Sequence, residues 1–239
     1  MKKIMVTGAS RGLGRALTLA FAKEGFQLAI CARGEEALLK VKKEAEELGA
    51  KKVIAIKADI ANPRDVERFV SIVEFSFGEI DVLINNASIF GPGPTLLGDY
   101  SAKEFMNVLN VNVMNPFLLT KRVLPGMLIK DTGVILNITS EAGRTGFAEW
   151  GAYGVSKFAL EGLTQIWADE LDGTNIRMNL VDPGEMDTEM HDRAVPNCDY
   201  DLAKPADVVD VFLYLISEKA IGVSGKRFLA QSFRWEEVE

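Results

Sequence analysis

Thr7-Gly8-Ala9-Ser10-Arg11-Gly12-Leu13-Gly14 joins an apolar run at 4–7 to a stretch, 13–23, in which apolar residues recur at helical spacing. Strand, glycine turn and helix in that order make the opening unit of a sheet whose strands are connected by helices. The glycines divide the work: Gly8 permits the tight turn, Gly12 a close backbone approach and Gly14 the packing of helix on strand. Amide groups at such a helix start, together with the helix dipole, suit a pyrophosphate. The spacing is GxxxGxG rather than GxGxxG, and taken alone it also fits a plain strand–helix turn.

Working outward, the same alternation continues. Apolar runs at 27–32, 53–56, 82–85, 134–138, 176–181 and 226–229 read as strands. Between them, helical patterns cover 35–48, a segment opened by Pro63, 102–128 with a bend near Pro116 or Pro125, 153–171 and 205–217. Residues 185–204 read as a loop. Unbroken apolar strands are those of a parallel sheet covered on both faces. The sequence therefore predicts a single Rossmann-type domain over 1–239: a doubly wound parallel seven-stranded sheet with helices on both faces, three layers α/β/α. No linker or repeat divides it.

Composition narrows the function. Of 239 residues, 48 % are apolar, enough for a large core, and the net charge of −7 argues against a nucleic-acid surface. Cys31 and Cys198 form no CxxC pair, and a single histidine, His191, gives no ligand cluster, so no metal is expected. The N-terminus carries two lysines and no apolar signal core, and no run is long enough to span a bilayer. A cytoplasmic protein that acts on small molecules, with neither nucleic acid nor membrane as partner, is the expectation.

Such sheets bind ligands at the carboxyl ends of their strands. The second strand ends in Arg33, with no preceding acid, and Arg11 stands in the glycine loop. Two guanidinium groups suit the 2′-phosphate of NADP(H); Glu35 and Glu36 keep NAD(H) open. Tyr153 and Lys157 are spaced i,i+4 on one helix face, where an ammonium lowers a phenol's pKa from its usual ~10. Ser140 follows the fifth strand and Asn85-Asn86-Ala87 the fourth. Asn112 lies in the long helix, where asparagine points to a local irregularity or a buried polar contact.

Jointly, TGASRGLG at 7–14, Asp59, NNA at 85–87, Asn112, Ser140, YGVSK at 153–157, and Pro183-Gly184 followed by Thr188 resemble the compact short-chain dehydrogenase/reductase family over essentially the whole chain. The resemblance implies that Tyr153 is the acid/base, that Lys157 binds the nicotinamide ribose and lowers the tyrosine pKa, that Ser140 orients the carbonyl, and that Asn112 holds a water in a proton relay. It assigns cofactor contacts to Gly8, Ser10, Arg11, Gly12, Leu13 and Gly14. Asp59 and Ile60 are assigned to the adenine, with Arg33, Asn86 and Ala87 nearby. Pro183, Gly184, Met186 and Thr188 are assigned to the nicotinamide side. Two departures stand out: Ser88 follows NNA where glycine is common, and 222–239 lacks the family's double-glycine ending, which puts pocket closure and tetramer contacts in doubt.

Glu141, Phe147, Trp150 and Met190 are the substrate candidates, with Phe90, Arg144, Met186, His191 and Tyr200 close in the pattern; aromatics and methionine suit an apolar substrate body. The leading expectation is an NADPH-dependent carbonyl reductase or alcohol dehydrogenase. A dehydratase or epimerase on the same fold, and a cofactor-binding redox sensor or scaffold, are the alternatives. The helices at 102–128 and 153–171 are expected to pair with a second copy, giving a homodimer or homotetramer.

Overall fold

The computed structural model describes residues 1–235. The last four positions of the predicted domain and of the C-terminal segment lie outside the described residues. Seven strands form one parallel sheet: β1 (Lys3–Thr7), β2 (Gln27–Ala32), β3 (Lys52–Lys57), β4 (Val82–Asn85), β5 (Gly133–Ile138), β6 (Ile176–Asp182) and β7 (Arg227–Leu229). Their order is β3-β2-β1-β4-β5-β6-β7. The helices are α1 (Gly12–Lys23), α2 (Glu35–Glu47), α3 (Pro63–Phe77), α4 (Ala102–Leu109), α5 (Asn115–Lys130), α6 (Gly151–Glu170), α7 (Glu189–Ala194) and α8 (Asp210–Ile216).

Successive strand residues feed opposite faces of the sheet. Ile4, Val6, Leu28 and Ile30 pack against Leu17, Phe21, Leu38 and Val41 of α1 and α2, and against Phe212 and Leu215 of α8. Met5, Ala29 and Cys31 face the other way, against Phe69 and Val73 of α3 and Leu119 and Val123 of α5. Both faces being covered, the strands have no polar side, which is why they read as apolar runs. Local signals set the helix ends. Asn62 accepts a bond from the Arg64 amide at 3.0 Å and Pro63 opens α3. The buried Arg177 guanidinium donates to the carbonyls of Leu215, Ser217 and Ala220, tying β6 to the end of α8.

Three predicted elements differ. The long helix is interrupted not at a proline but just before one: Asn110–Met114 form a π turn between α4 and α5. Pro116 has no N–H to give the carbonyl four residues back, so the ladder loosens there and the Asn115 amide bonds to the Asn110 carbonyl. Pro125 sits inside α5, which continues through it. The 205–217 helix is a 3₁₀ turn, Pro205–Val208, followed by α8. The loop at 185–204 contains α7, whose N-cap Thr188 accepts from the His191 amide at 3.3 Å.

β1 lies between β2 and β4, so the connections diverge to opposite sides of the sheet at this point. The crevice this opens at the carboxyl ends is where an open α/β sheet takes its ligand.

Candidate active site

The glycine loop crosses that crevice. Gly8 has φ +66, and a Cβ on it would lie 2.9 Å from Ala87 Cα; on Gly14 a Cβ would lie 2.3 Å from the Gly8 carbonyl oxygen. Gly12 has φ +52 and faces Thr188. The β4 loop clamps this turn: Asn86 Nδ2 donates to the Thr7 carbonyl at 2.8 Å and to that of Gly8 at 3.3 Å. Thr7 Oγ1 accepts from the amides of Asn86 and Ala87. Helix α1 begins with no side-chain cap and no acid in its first turn, so its leading amides are left to an anion. Backbone, glycine and dipole therefore fit a dinucleotide pyrophosphate. Leu13 is buried in the core, which leaves its amide rather than its side chain for that contact, while Ser10 is half-buried at the loop.

Around β2 and β3 the groups are exposed. Arg33 follows β2 and makes no ion pair or hydrogen bond among the described residues. Arg11 is instead paired with Glu189 of α7, so the two predicted phosphate ligands differ in freedom. Asp59 accepts from the Ala61 amide at 3.1 Å. Ile60 packs into the core beneath α3, so of the predicted adenine pair only Asp59 is exposed.

The predicted catalytic residues converge at the ends of β4 and β5. Tyr153 and Lys157 share one face of α6, and both are buried. The Ser140 hydroxyl reaches the Tyr153 phenol. Lys157 Nζ donates to the Ile138 carbonyl at 2.8 Å and stands 5.3 Å from the centre of the Tyr153 ring. Asn112 sits in the π turn, bonded in both directions to Ile89 at 2.9 Å and donating to Ser156 Oγ at 2.9 Å. Ser156 in turn donates to the Tyr153 carbonyl. Asn112 thus links the loop at Ile89 to α6.

The electrostatics run opposite to the simple i,i+4 expectation. Burial pushes the Tyr153 phenol up to about 12, against the Ser140 hydroxyl, which favours its ionised form; the Asp182 charge adds to the rise. Burial lowers Lys157 to about 8, against the charges of Asp182 and Glu161. Enclosure disfavours both charged forms, the phenolate and the ammonium alike.

Aromatic side chains wall the site. Phe90 lies 5.2 Å from the Tyr153 ring and 5.4 Å from that of Trp150, and Phe147 is 5.4 Å from Trp150. Met190 and Ala194 of α7 pack on the same cluster. Glu141 does not join them: it is exposed, and its Oε1 accepts from Thr145. Arg144 is also exposed, and His191 Nε2 faces Glu185 at 3.3 Å. Pro183 and Gly184 are braced by Gln231, whose Nε2 donates to the Pro183 and Glu185 carbonyls. Met186 packs against the core and bridges Ala203.

Sequence reasoning missed Thr7, Ser156, Glu161, Asp182 and Arg227, all at or beside this site. A signal existed for some of them: charged residues within an apolar strand and within the buried face of a helix need buried partners. Among the described residues there is no group of three or more His, Cys, Asp or Glu placed to hold a metal ion, and no helix long and apolar enough to cross a membrane. Cys31 is buried and free.

A parallel sheet carrying a glycine-loop anion cradle beside a Ser–Tyr–Lys cluster defines the class of nicotinamide-linked oxidoreductases that work on CH–OH and C=O groups. The family described as short chain dehydrogenase matches residues 2–199. The chain belongs to the short-chain dehydrogenase/reductase family. It is 34 % identical over 235 residues to a 3-oxoacyl-[acyl-carrier-protein] reductase, FabG, of Thermotoga maritima, covering 94 % of each chain. A putative short chain dehydrogenase from Pseudomonas syringae superposes with TM-score 0.92 at 37 % identity, covering 96 % of this chain and 94 % of that one. A Shigella flexneri relative complexed with NADP (TM-score 0.91, 30 % identity, 96 % and 97 % covered) and an NAD+-bound xylitol dehydrogenase (0.86, 28 %, 95 % and 96 %) show that both cofactors occur on this architecture.

Proposed function

We propose that this protein is an NADP(H)-dependent carbonyl reductase or alcohol dehydrogenase whose substrate has an apolar body. The observation that carries the reading is the convergence of Ser140, Tyr153 and Lys157 under an aromatic wall, beside the glycine loop. A bound nicotinamide dinucleotide would donate or accept the hydride. Tyr153 passes its phenolic proton to the substrate oxygen in reduction and takes it back in oxidation. Ser140 donates to the same oxygen and sets its position. Lys157, protonated below about 8, favours the phenolate and holds the cofactor ribose. Asn112 fixes the π turn behind this pair and anchors a water that relays the proton. Phe90, Phe147, Trp150 and Met190 enclose the substrate body and exclude water.

NADP(H) is favoured over NAD(H) because Arg33 stands at the end of β2 with its guanidinium uncommitted, suited to a 2′-phosphate. Met106, Met114, Val155, Phe158 and Ile166 leave exposed apolar surface on or next to α4, α5 and α6, which supports association with a second copy. Light scattering on the purified protein is expected to give a dimer or tetramer, and a monomer at micromolar concentration rejects that part.

The test of the activity is a panel of ketones, aldehydes and quinones with NADPH and NADH, followed at the nicotinamide absorbance. Turnover with NADPH is expected, falling about 10²- to 10⁴-fold in Tyr153→Phe. Tight NADPH binding with no turnover on a broad panel overturns the reading in favour of a redox sensor.

A further inference from the structure

The chain after Gly222 supplies β7, and β7 supplies Arg227. The side chain is 7 % exposed. Its guanidinium reaches three parts of the catalytic centre. Nε donates to Glu161 Oε1 of α6 at 3.0 Å. Nη2 donates to Asp182 Oδ2 at the end of β6 at 2.6 Å, and to the Ser140 carbonyl at 3.2 Å. Glu161 Oε1 also accepts from Thr139 Oγ1 at 2.8 Å, and Asp182 Oδ1 from the Gly184 amide at 2.9 Å.

Charge balance explains why the cluster can be buried. Lys157 and Arg227 are cations; Glu161 and Asp182 are carboxylates, and all four are enclosed. The exposed Glu141 stands 3.9 Å from Arg227 at the rim. The groups facing Lys157 are Tyr153 and Glu161 from its own helix, Asp182 from β6, Arg227 behind both carboxylates, and the neutral Ser140 and Thr139 after β5. A planar fork can hold two carboxylates and a carbonyl at once, whereas an ammonium is a point charge without that fixed geometry.

We infer that Arg227 is a positioning residue of the catalytic centre: it fixes Ser140 through its carbonyl and compensates the two carboxylates beneath Lys157. The inference rests on the reading of Tyr153 and Lys157 as the reacting pair. Without Arg227, Asp182 and Glu161 act unopposed on Lys157, and Asp182 on Tyr153. The ammonium becomes harder to deprotonate and the phenol harder to ionise. β7 thereby tunes the site, and Gln231 in the turn after it donates to the Pro183 and Glu185 carbonyls.

The test is NMR titration of protein carrying ¹³C-labelled lysine, with Lys157 assigned by comparison with Lys157→Met. The wild-type resonance is expected to titrate at about 8. In Arg227→Met it moves up by about one pH unit or more, and the rise of alcohol oxidation with pH moves alkaline with it. Arg227→Met/Glu161→Gln leaves Lys157 against one carboxylate and so keeps the buried charge balanced should the single variant not fold. There Lys157 returns toward its wild-type value, while kcat stays several-fold low at unchanged KM because the Ser140 carbonyl is unheld. A Lys157 titration unmoved in folded Arg227→Met, or wild-type kcat in the double variant, overturns the inference. If the wild type turns over no substrate, the reaction reading fails while the titrations still judge Arg227.

Discussion

The two halves of the sheet's carboxyl edge are built on different physics. From β3 to β1, the crevice is made of backbone: three glycines, uncapped helix amides and an asparagine clamp. Its charged side chains are exposed, and they are either paired at the surface, as Arg11 is with Glu189, or unpaired, as Arg33 is. From β4 to β7, the crevice is made of buried side chains that hold one another: Asn112 on Ile89 and Ser156, Arg227 on Glu161 and Asp182, Lys157 on the Ile138 carbonyl. A surface that grips a large, solvent-facing anion can use main-chain dipoles and long flexible cations. A centre that moves a proton needs groups whose ionisation is set by enclosure.

The comparison breaks first at Gly14. On the backbone-built side no side chain can yield, because the atom in the way is the Gly8 carbonyl. Gly14→Ala is expected to destabilise the fold by about 3 kcal/mol, the upper part of the overpacking range, and to abolish cofactor binding in whatever folds. Thermal unfolding with and without NADPH measures both. A variant that unfolds like the wild type and still binds NADPH would show that the loop is plastic.

The buried side should reveal itself in alkali. A phenol whose folded pKa is raised to about 12 keeps its proton where the unfolded chain loses it, from about 10 upward. That contribution to stability is present below pH 10 and is lost as pH rises from 10 to 12; at roughly 1.4 kcal/mol per unit it amounts to about 2–3 kcal/mol. The Cys31 thiol, also raised to about 12 by burial, adds a loss in an overlapping window. Lys157, lowered to about 8, works the other way, stability rising with pH from 8 toward its ordinary value. Denaturant unfolding of wild type and Tyr153→Phe across this range should give a shallower alkaline decline in the variant. Parallel declines would mean the phenol is not held protonated by its surroundings.

The smallest effect belongs to the exposed half. Arg33→Ala should weaken NADPH about tenfold, roughly 1.4 kcal/mol, and leave NADH binding nearly unchanged. Isothermal titration of both cofactors reads the difference, and equal losses would remove Arg33 from the 2′-phosphate.

Much of this was legible beforehand, for reasons that differ by residue. The seven strands were visible because two-sided burial writes itself as apolar runs, and the glycine loop because positive φ and close approach restrict the choice of residue. Tyr153, Lys157, Ser140 and Asn112 were legible through spacing and resemblance. The π turn was half visible: Asn112 marked an irregularity, while its place depended on the missing amide of Pro116. Helix α7 was hidden because six residues carry too little periodicity, and its Thr188 cap was read only as a cofactor contact.

By itself, then, the sequence determined the order of strands and helices, the glycine turn at the first strand's end, and the spacing that places Tyr153 and Lys157 on one helix face. Each is a local property, written within a few positions of the chain. The tertiary structure alone decided which way the pair titrates and what stands behind it. Arg227 is 66 residues from Glu161 and 45 from Asp182, and burial is a sum over elements that no short window contains. A charge in a strand states only that it must be compensated; the fold supplies the partners.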